Sequence, residues 1–378
     1  MRIRVRKGAM AMATGAVGLA LALAGCSGEV LGHPGYRPMA PTGPSGVGTT
    51  LVTGPWVIKA DISVGNVTSL VQGPDAVYAL ASDPSLDNVA RVPQQLIRIA
   101  NGSNAVTKGP FVLATSGLAI LGKYPWVVAL DNAGGETLDQ LNPTTLAIRG
   151  SVSLPGASYS GSSSLASAPG ASLWVGSGNQ LYRVTVTTGV VTEHITVTGQ
   201  ITDLAVSPAG SLLYSADEVS GSLVVTERNT VSGALMATSA DFYSVNGGRL
   251  APTVGGVWAS FRSGMVGGAV LLSAASLGQL VPKGGAVPPV GRSLMAVMGV
   301  TASVSAGDLW LSTYQTLACA DPATGQVRAE EPVTDGIAGK AVAAPGTVYV
   351  PTDTGIEVLQ PPLACGLGRN VETIVPPG

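Results

Sequence analysis

The sequence predicts an all-β protein, a seven-bladed β-propeller of four-stranded antiparallel blades, with six or eight blades as the alternatives. Three observations carry that expectation. The 378-residue chain is 46% hydrophobic and 11% charged, with 51 Gly and 26 Pro. Such a chain has the apolar content to fold and the punctuation for many short strands and tight turns. Outside the N-terminus no long segment carries a helical period. An aliphatic–aromatic pair recurs at Val77-Tyr78, Leu173-Trp174, Leu213-Tyr214, Val257-Trp258, Leu309-Trp310 and Val348-Tyr349, and Pro125-Trp126 fills the remaining place. From Tyr78 onward these aromatics stand 48, 48, 40, 44, 52 and 39 residues apart, the length of a propeller blade of ~40–50 residues. Finally, Ala306 to Val327 spells out one copy: an apolar run at Asp308–Ser312, a second at Thr316–Ala320, a turn at Asp321-Pro322-Ala323-Thr324-Gly325, and the start of a third run. Pro presets φ in such a turn and Gly supplies positive φ without steric cost.

Taken in order, the chain opens with an address. Arg2, Arg4, Arg6 and Lys7 precede an Ala-rich apolar run from about Gly8 to Ala24, the charged and hydrophobic regions of a secretory signal. The run is short for a membrane span; an uncleaved helix and a plain signal peptide are the alternatives. It ends in Leu23-Ala24-Gly25-Cys26, which resembles the lipobox of bacterial lipoproteins. In that family the Cys thiol receives a diacylglycerol, the chain is cut before it, and the new terminus is acylated, palmitate being a usual chain. Two or more acyl chains make a stable anchor where one is marginal. Residues 1–25 are thus expected as a signal peptide. Residues 26–50, with Pro34, Pro38, Pro41 and Pro44 among Gly, Ser and Thr, read as a flexible tether, and 51–378 as the propeller. His33 lies in the tether, with no chemistry assigned.

Losing the four leader cations takes the formal charge from −2 to −6. A mildly acidic chain is a poor fit to a phosphate backbone, which needs clustered Lys and Arg.

Within the body, each marker aromatic is preceded by a small-residue strand, of which Ile201 to Pro208 is the clearest, and followed by a third strand and a turn. Small residues suit an inner strand crowding a central channel, and the bulky markers suit the space between sheets. Gly54-Pro55-Trp56-Val57-Ile58 is similar to Gly109-Pro110-Phe111-Val112-Leu113, which lies where blade one's outer strand belongs. The earlier copy precedes any inner strand, so the N-terminal segment is expected to supply the outer strand of the last blade and close the ring.

Ala320-Asp321-Pro322-Ala323-Thr324-Gly325-Gln326-Val327 resembles the A-x-D-x-x-T-G-x-V turn of quinoprotein-like and YVTN-type seven-bladed propellers, and Ile201 to Tyr214 is similar to their inner-strand pair. The resemblance implies the scaffold. The tryptophan that ends many quinoprotein-type repeats does not follow Val327, and no cofactor is expected. Fold does not fix function.

Candidate chemistry is sparse. With Cys26 assigned to lipid, Cys319 on blade six and Cys365 after the third strand of blade seven are expected to pair in an exported compartment; two free or buried thiols are the alternative. His194 alternates with Ile195 on a solvent-facing outer strand, and no set of metal ligands or Ser-His-Asp arrangement assembles around it. Gly336-Ile337-Ala338-Gly339-Lys340 precedes a strand and is no phosphate loop. Acids follow the marker strands: Asp83 and Asp87, Asp131 and Glu136, Asp217 and Glu218, then Asp353. On the same face the inner strands begin, near Asp203, Arg249 and Lys340. These residues are expected to ring the channel mouth, or else to be ordinary solvated loops.

The sequence therefore favours a monomeric, lipid-anchored propeller on the outer face of the cytoplasmic membrane, binding or scaffolding a protein, peptide or glycan. One rival is an enzyme of the lyase, lactonase or quinoprotein kind working at the mouth; another is a purely structural envelope protein.

Overall fold

The computed structural model describes residues 56–82, 93–131, 133–158, 163–242, 248–263, 266–281, 300–333 and 335–366. The expected signal, the lipobox with Cys26, the tether and Asp83 lie outside them.

Strand β1 (Val57–Ser63) is the first of the described strands and completes the last blade. Blade one is β2 (Asn66–Gln72), β3 (Ala76–Ser82), β4 (Gln94–Ala100) and β5 (Val106–Val112). Blade two is β6 (Ala114–Leu121), β7 (Tyr124–Leu130), β8 (Gly135–Leu141) and β9 (Ile148–Ser158); blade three is β10 (Ser163–Ala168), β11 (Ser172–Ser177), β12 (Gln180–Thr185) and β13 (Val190–Thr196). Blade four comprises β14 (Gln200–Val206), β15 (Leu212–Val219), β16 (Ser222–Asn229) and β17 (Leu235–Thr238), and blade five β18 (Arg249–Thr253), β19 (Gly256–Ser263), β20 (Val266–Ser273) and β21 (Gln279–Val281). Blade six has β22 (Thr301–Ser305), β23 (Asp308–Ser312), β24 (Thr316–Ala320) and β25 (Val327–Pro332). Blade seven has β26 (Val342–Ala344), β27 (Thr347–Pro351) and β28 (Gly355–Gln360), with β1 pairing antiparallel to β28 from Val57↔Gln360 to Ser63↔Gly355. The seven sheets are all four-stranded, and the N-terminal strand closes the ring as expected.

The ring is read from its inner strands. β2, β6, β10, β14, β18, β22 and β26 neighbour one another in that order, and β26 neighbours β2 again. The core is correspondingly divided. Seven hydrophobic clusters each belong to two adjacent blades, from Tyr78 and Val127 between blades one and two to Tyr349 and Val67 between seven and one. Radial stacking hides each sheet face against the next and leaves only short outer edges.

The marker aromatics face the following blade, and four of them also hold it by hydrogen bonds. Tyr78 Oη donates to Pro143 O (3.0 Å), Trp174 Nε1 to Thr230 O (3.1 Å), Trp258 Nε1 to Pro322 O (2.7 Å) and Tyr349 Oη to Asn104 Oδ1 (3.2 Å). Each acceptor lies in the turn between the third and fourth strands of the next blade. Three of those turns, in blades two, four and six, share one build. Asn142, Asn229 and Asp321 each accept two backbone N–H groups two and three residues on through Oδ1, the Asx-turn habit of these side chains. The fifth residue is left-handed, at Gly233 (φ 68°) and Gly325 (φ 71°) and also at buried Leu146 (φ 60°). Blade seven has no such turn, because its fourth strand arrives from the other end of the chain. There Trp310 meets Trp56 edge-on, with ring centroids 6.4 Å apart.

Cys319 in β24 and Cys365 in a short 3-10 turn after β28 form a disulfide, Cα–Cα 5.7 Å. It ties the chain leaving blade seven to blade six.

Candidate functional site

The inner strands begin at one end of the channel, and three of them are irregular there. β2 slips register against β3 between Val67 and Ser69, β6 against β7 between Ala114 and Leu118, and β14 against β15 between Ile201 and Asp203. A bulge leaves one residue out of the ladder and re-aims its neighbours. At two of them the extra residue is a threonine whose hydroxyl serves the marker strand or its neighbour. Thr68 Oγ1 donates to Gln94 Oε1 (2.8 Å), and Thr202 Oγ1 to Ala216 O (3.1 Å).

These bulged ends enclose a cavity of about 540 Å³. Its walls come from the inner strands of blades one to five and from the segment entering blade seven; its polar groups include Asn66, Thr68, Ser69, Ser163, Ser164 and Thr202. Leu118, Leu165 and Leu204 supply an apolar part, and among the described residues no aromatic side chain lines it. The volume lies within the ~300–1,000 Å³ range of small-ligand sites.

Four of the charged residues singled out in the sequence line this cavity: Asp203, Arg249, Lys340 and Asp353. Asp203 is 7% exposed and fully engaged. Its Oδ2 accepts from the Leu250 backbone N–H (2.7 Å) and from Lys340 Nζ, and its Oδ1 accepts from Ser164 Oγ (3.1 Å). Ser164 Oγ in turn accepts from the Leu204 N–H (2.8 Å). One carboxylate thus joins blades three, four and five to Lys340, which stands at the entry to blade seven. Lys340 Nζ also donates to Leu250 O (3.1 Å). Blades four and seven are three places apart in a ring of seven, so this side chain spans the mouth. Arg249 Nη1 donates to Thr202 O (2.8 Å), next to the same junction. On the far side Asp353 Oδ2 accepts from Tyr314 Oη (3.2 Å), and that bond raises the Tyr314 phenol above its usual range.

The other acids go elsewhere. Asp131 caps its own loop, its Oδ1 accepting from the Ala133 and Gly135 N–H groups at 2.8 Å each. Asp217 is not in a loop, as the sequence suggests, but on β15, 3% exposed. Burial pushes its carboxyl up to about 6, against hydrogen bonds from Ser215 and Thr226 and the charge of Arg228. Glu136 likewise starts in β8 and is 1% exposed; burial raises its pKa, opposed by Ser177 and Ser163. Neither Asp131 nor Asp217 lines the cavity. The strands run further than the pattern suggests, which draws Asp217 and Glu136, but not Asp131, between the blades.

His194 is exposed on β13, stacked on Tyr182 with centroids 4.6 Å apart. Among the described residues no group of three His, Cys, Asp or Glu side chains is placed to hold a metal ion. The hydroxyl residues Thr68, Ser164 and Thr202 are the part of the site that the sequence reading missed. Their only sequence signal is a polar residue early in a small-residue strand.

No protein-family model matches the sequence, and no curated protein matches it. Many solved structures share the fold. One is the hydrazine synthase of Kuenenia stuttgartiensis, 9% identical, with a TM-score of 0.61 over 80% of this chain and 97% of that one. At that identity the likeness is one of fold.

Proposed function

We propose that this protein is a lipid-anchored binding module of the bacterial cell envelope, with the channel mouth as its docking site for a protein, peptide or glycan partner. The observation that carries the reading is the mouth itself: a cavity walled by bulged inner strands, with Arg249, Lys340 and Asp353 at a polar opening. Bulges set side chains off the ladder where a ligand has to be met, and a rigid ring holds them without ordering cost on binding. Cys26 supplies the anchor and residues 26–50 the reach, so that the module stands off the outer face of the cytoplasmic membrane.

The test is cross-linking capture from membranes by the full-length protein, comparing the native chain with Arg249→Glu and Asp353→Lys variants of unchanged melting temperature. Partners identified in the native capture should drop out of both variants. A partner set indifferent to both reversals would move the docking site away from the mouth.

A further inference from the structure

The charges at the junction of blades four and five do not balance. Lys340 Nζ and the Arg249 guanidinium meet there through adjacent residues, Asp203 and Thr202, and among the described residues Asp203 is the only carboxylate that engages either. Asp203 has its acceptors occupied by Leu250 N, Ser164 Oγ and Lys340. An ammonium carries three N–H donors and a guanidinium five. Lys340 commits two, to Asp203 and Leu250 O, and Arg249 commits Nη1 to a carbonyl. Among the described residues the remaining donors have no protein acceptor, and both side chains line the cavity. At this junction two cations meet one saturated carboxylate; Asp353, which also lines the cavity, is bonded to Tyr314 and engages neither cation. The same cavity is lined by Leu118, Leu165 and Leu204.

Deepening the binding-module reading and resting on it, we propose that the mouth receives the carboxyl terminus of a peptide ending in an aliphatic residue. The terminal carboxylate sits on the Arg249 fork, which matches a carboxylate bidentately, and takes the third Lys340 N–H. The last side chain lies against the three leucines. Asp203 is a positioning residue: it points Lys340 without meeting the ligand. Among the described residues the lining is aliphatic and polar with no aromatic face, which suits a peptide better than a sugar acid, whose ring commonly rests on one.

Calorimetry with the full-length chain in detergent micelles tests this, using an N-acetyl tripeptide ending in leucine as free acid, the same peptide as its amide, and glucuronate. The free acid should bind, the amide about tenfold or more weaker, and glucuronate weaker than the free acid. Arg249→Gln should weaken the free acid by about tenfold and leave the amide unaffected; Arg249→Lys should recover part of the loss. His194→Ala, on the outer rim, should change nothing. Equal binding of acid and amide, tighter binding of glucuronate, or no peptide binding would overturn the proposal. If such a result came with membrane partners still lost on mouth charge reversal, the ligand class alone would fall; if capture were also indifferent to reversal, the docking site would fall with it.

Discussion

The indole Nε1 of Trp258 in blade five donates to the carbonyl oxygen of Pro322 in blade six, 2.7 Å away. The contact joins the two features by which the repeat is recognised, the aromatic of the second strand and the Asp-Pro-Ala-Thr-Gly turn after the third. At Trp258, as at Tyr78, Trp174 and Tyr349, the aromatic has two tasks: it fills the gap between sheets, and it fixes the next sheet's turn. Trp258→Phe should keep the first and lose the second, at about 1 kcal/mol. Trp258→Ala should cost about 3–5 kcal/mol. Urea unfolding of the two variants checks the order.

Asp203 should matter more to stability than its partner. Asp203→Ala leaves the Leu250 N–H and the Lys340 ammonium without their acceptor, and should cost about 2–3 kcal/mol. Lys340→Met keeps the carboxylate bonded by Leu250 N and Ser164 Oγ. With Lys340 28% exposed, that change should cost about 1 kcal/mol or less. Equal losses would show that the lysine, not the carboxylate, organises the mouth.

Stability should fall with pH through the window of Asp217. Its folded carboxyl, at about 6, binds a proton more tightly than the ordinary 3.8 of an exposed aspartate. The unfolded chain therefore ionises first. The favourable contribution is complete below about pH 4, declines up to about pH 6 and is gone above, a swing of about 3 kcal/mol. Asp217→Asn, which can still accept from Ser215 and Thr226, should flatten that part of the profile. Melting temperatures of both proteins at pH 4 to 7 decide it; parallel curves would assign the pH dependence to other groups.

The Cys319–Cys365 bond closes a loop with a sequence separation of 46. Chain-entropy reasoning gives it about 4 kcal/mol. A Cys319→Ala, Cys365→Ala double variant should unfold at correspondingly lower urea, with the loss concentrated in blades six and seven by hydrogen exchange. A loss spread evenly over the ring would show that the blades unfold as one.

Replacing Cys26 with Ser should move the protein from the membrane fraction to the soluble exported fraction of an expressing bacterium, and should abolish incorporation of labelled palmitate. Retention at the membrane would put the anchor elsewhere.

By itself the sequence determined the blade. Marker aromatics, small inner strands and Asx-Gly turns are local patterns whose spacing counts sheets, and the early copy of the blade-one outer strand announced how the ring closes. It also put Asp203, Arg249 and Lys340 near the starts of inner strands and Asp353 in a loop on the same face, and all four line the cavity. What only the tertiary structure decided is which of the acids face the channel and which face a neighbouring blade. The sequence sets Asp203 near the start of an inner strand and Asp217 in the loop after a marker strand, yet the structure has both on strands. A one-residue bulge at Thr202 sets Asp203 in the wall of the cavity, where it meets Lys340, while the unbroken register of β15 with β16 carries Asp217 into the space between sheets. Side chains alternate with a period of two, so a single extra residue reverses a face, and nothing local in the sequence marks where that residue is inserted.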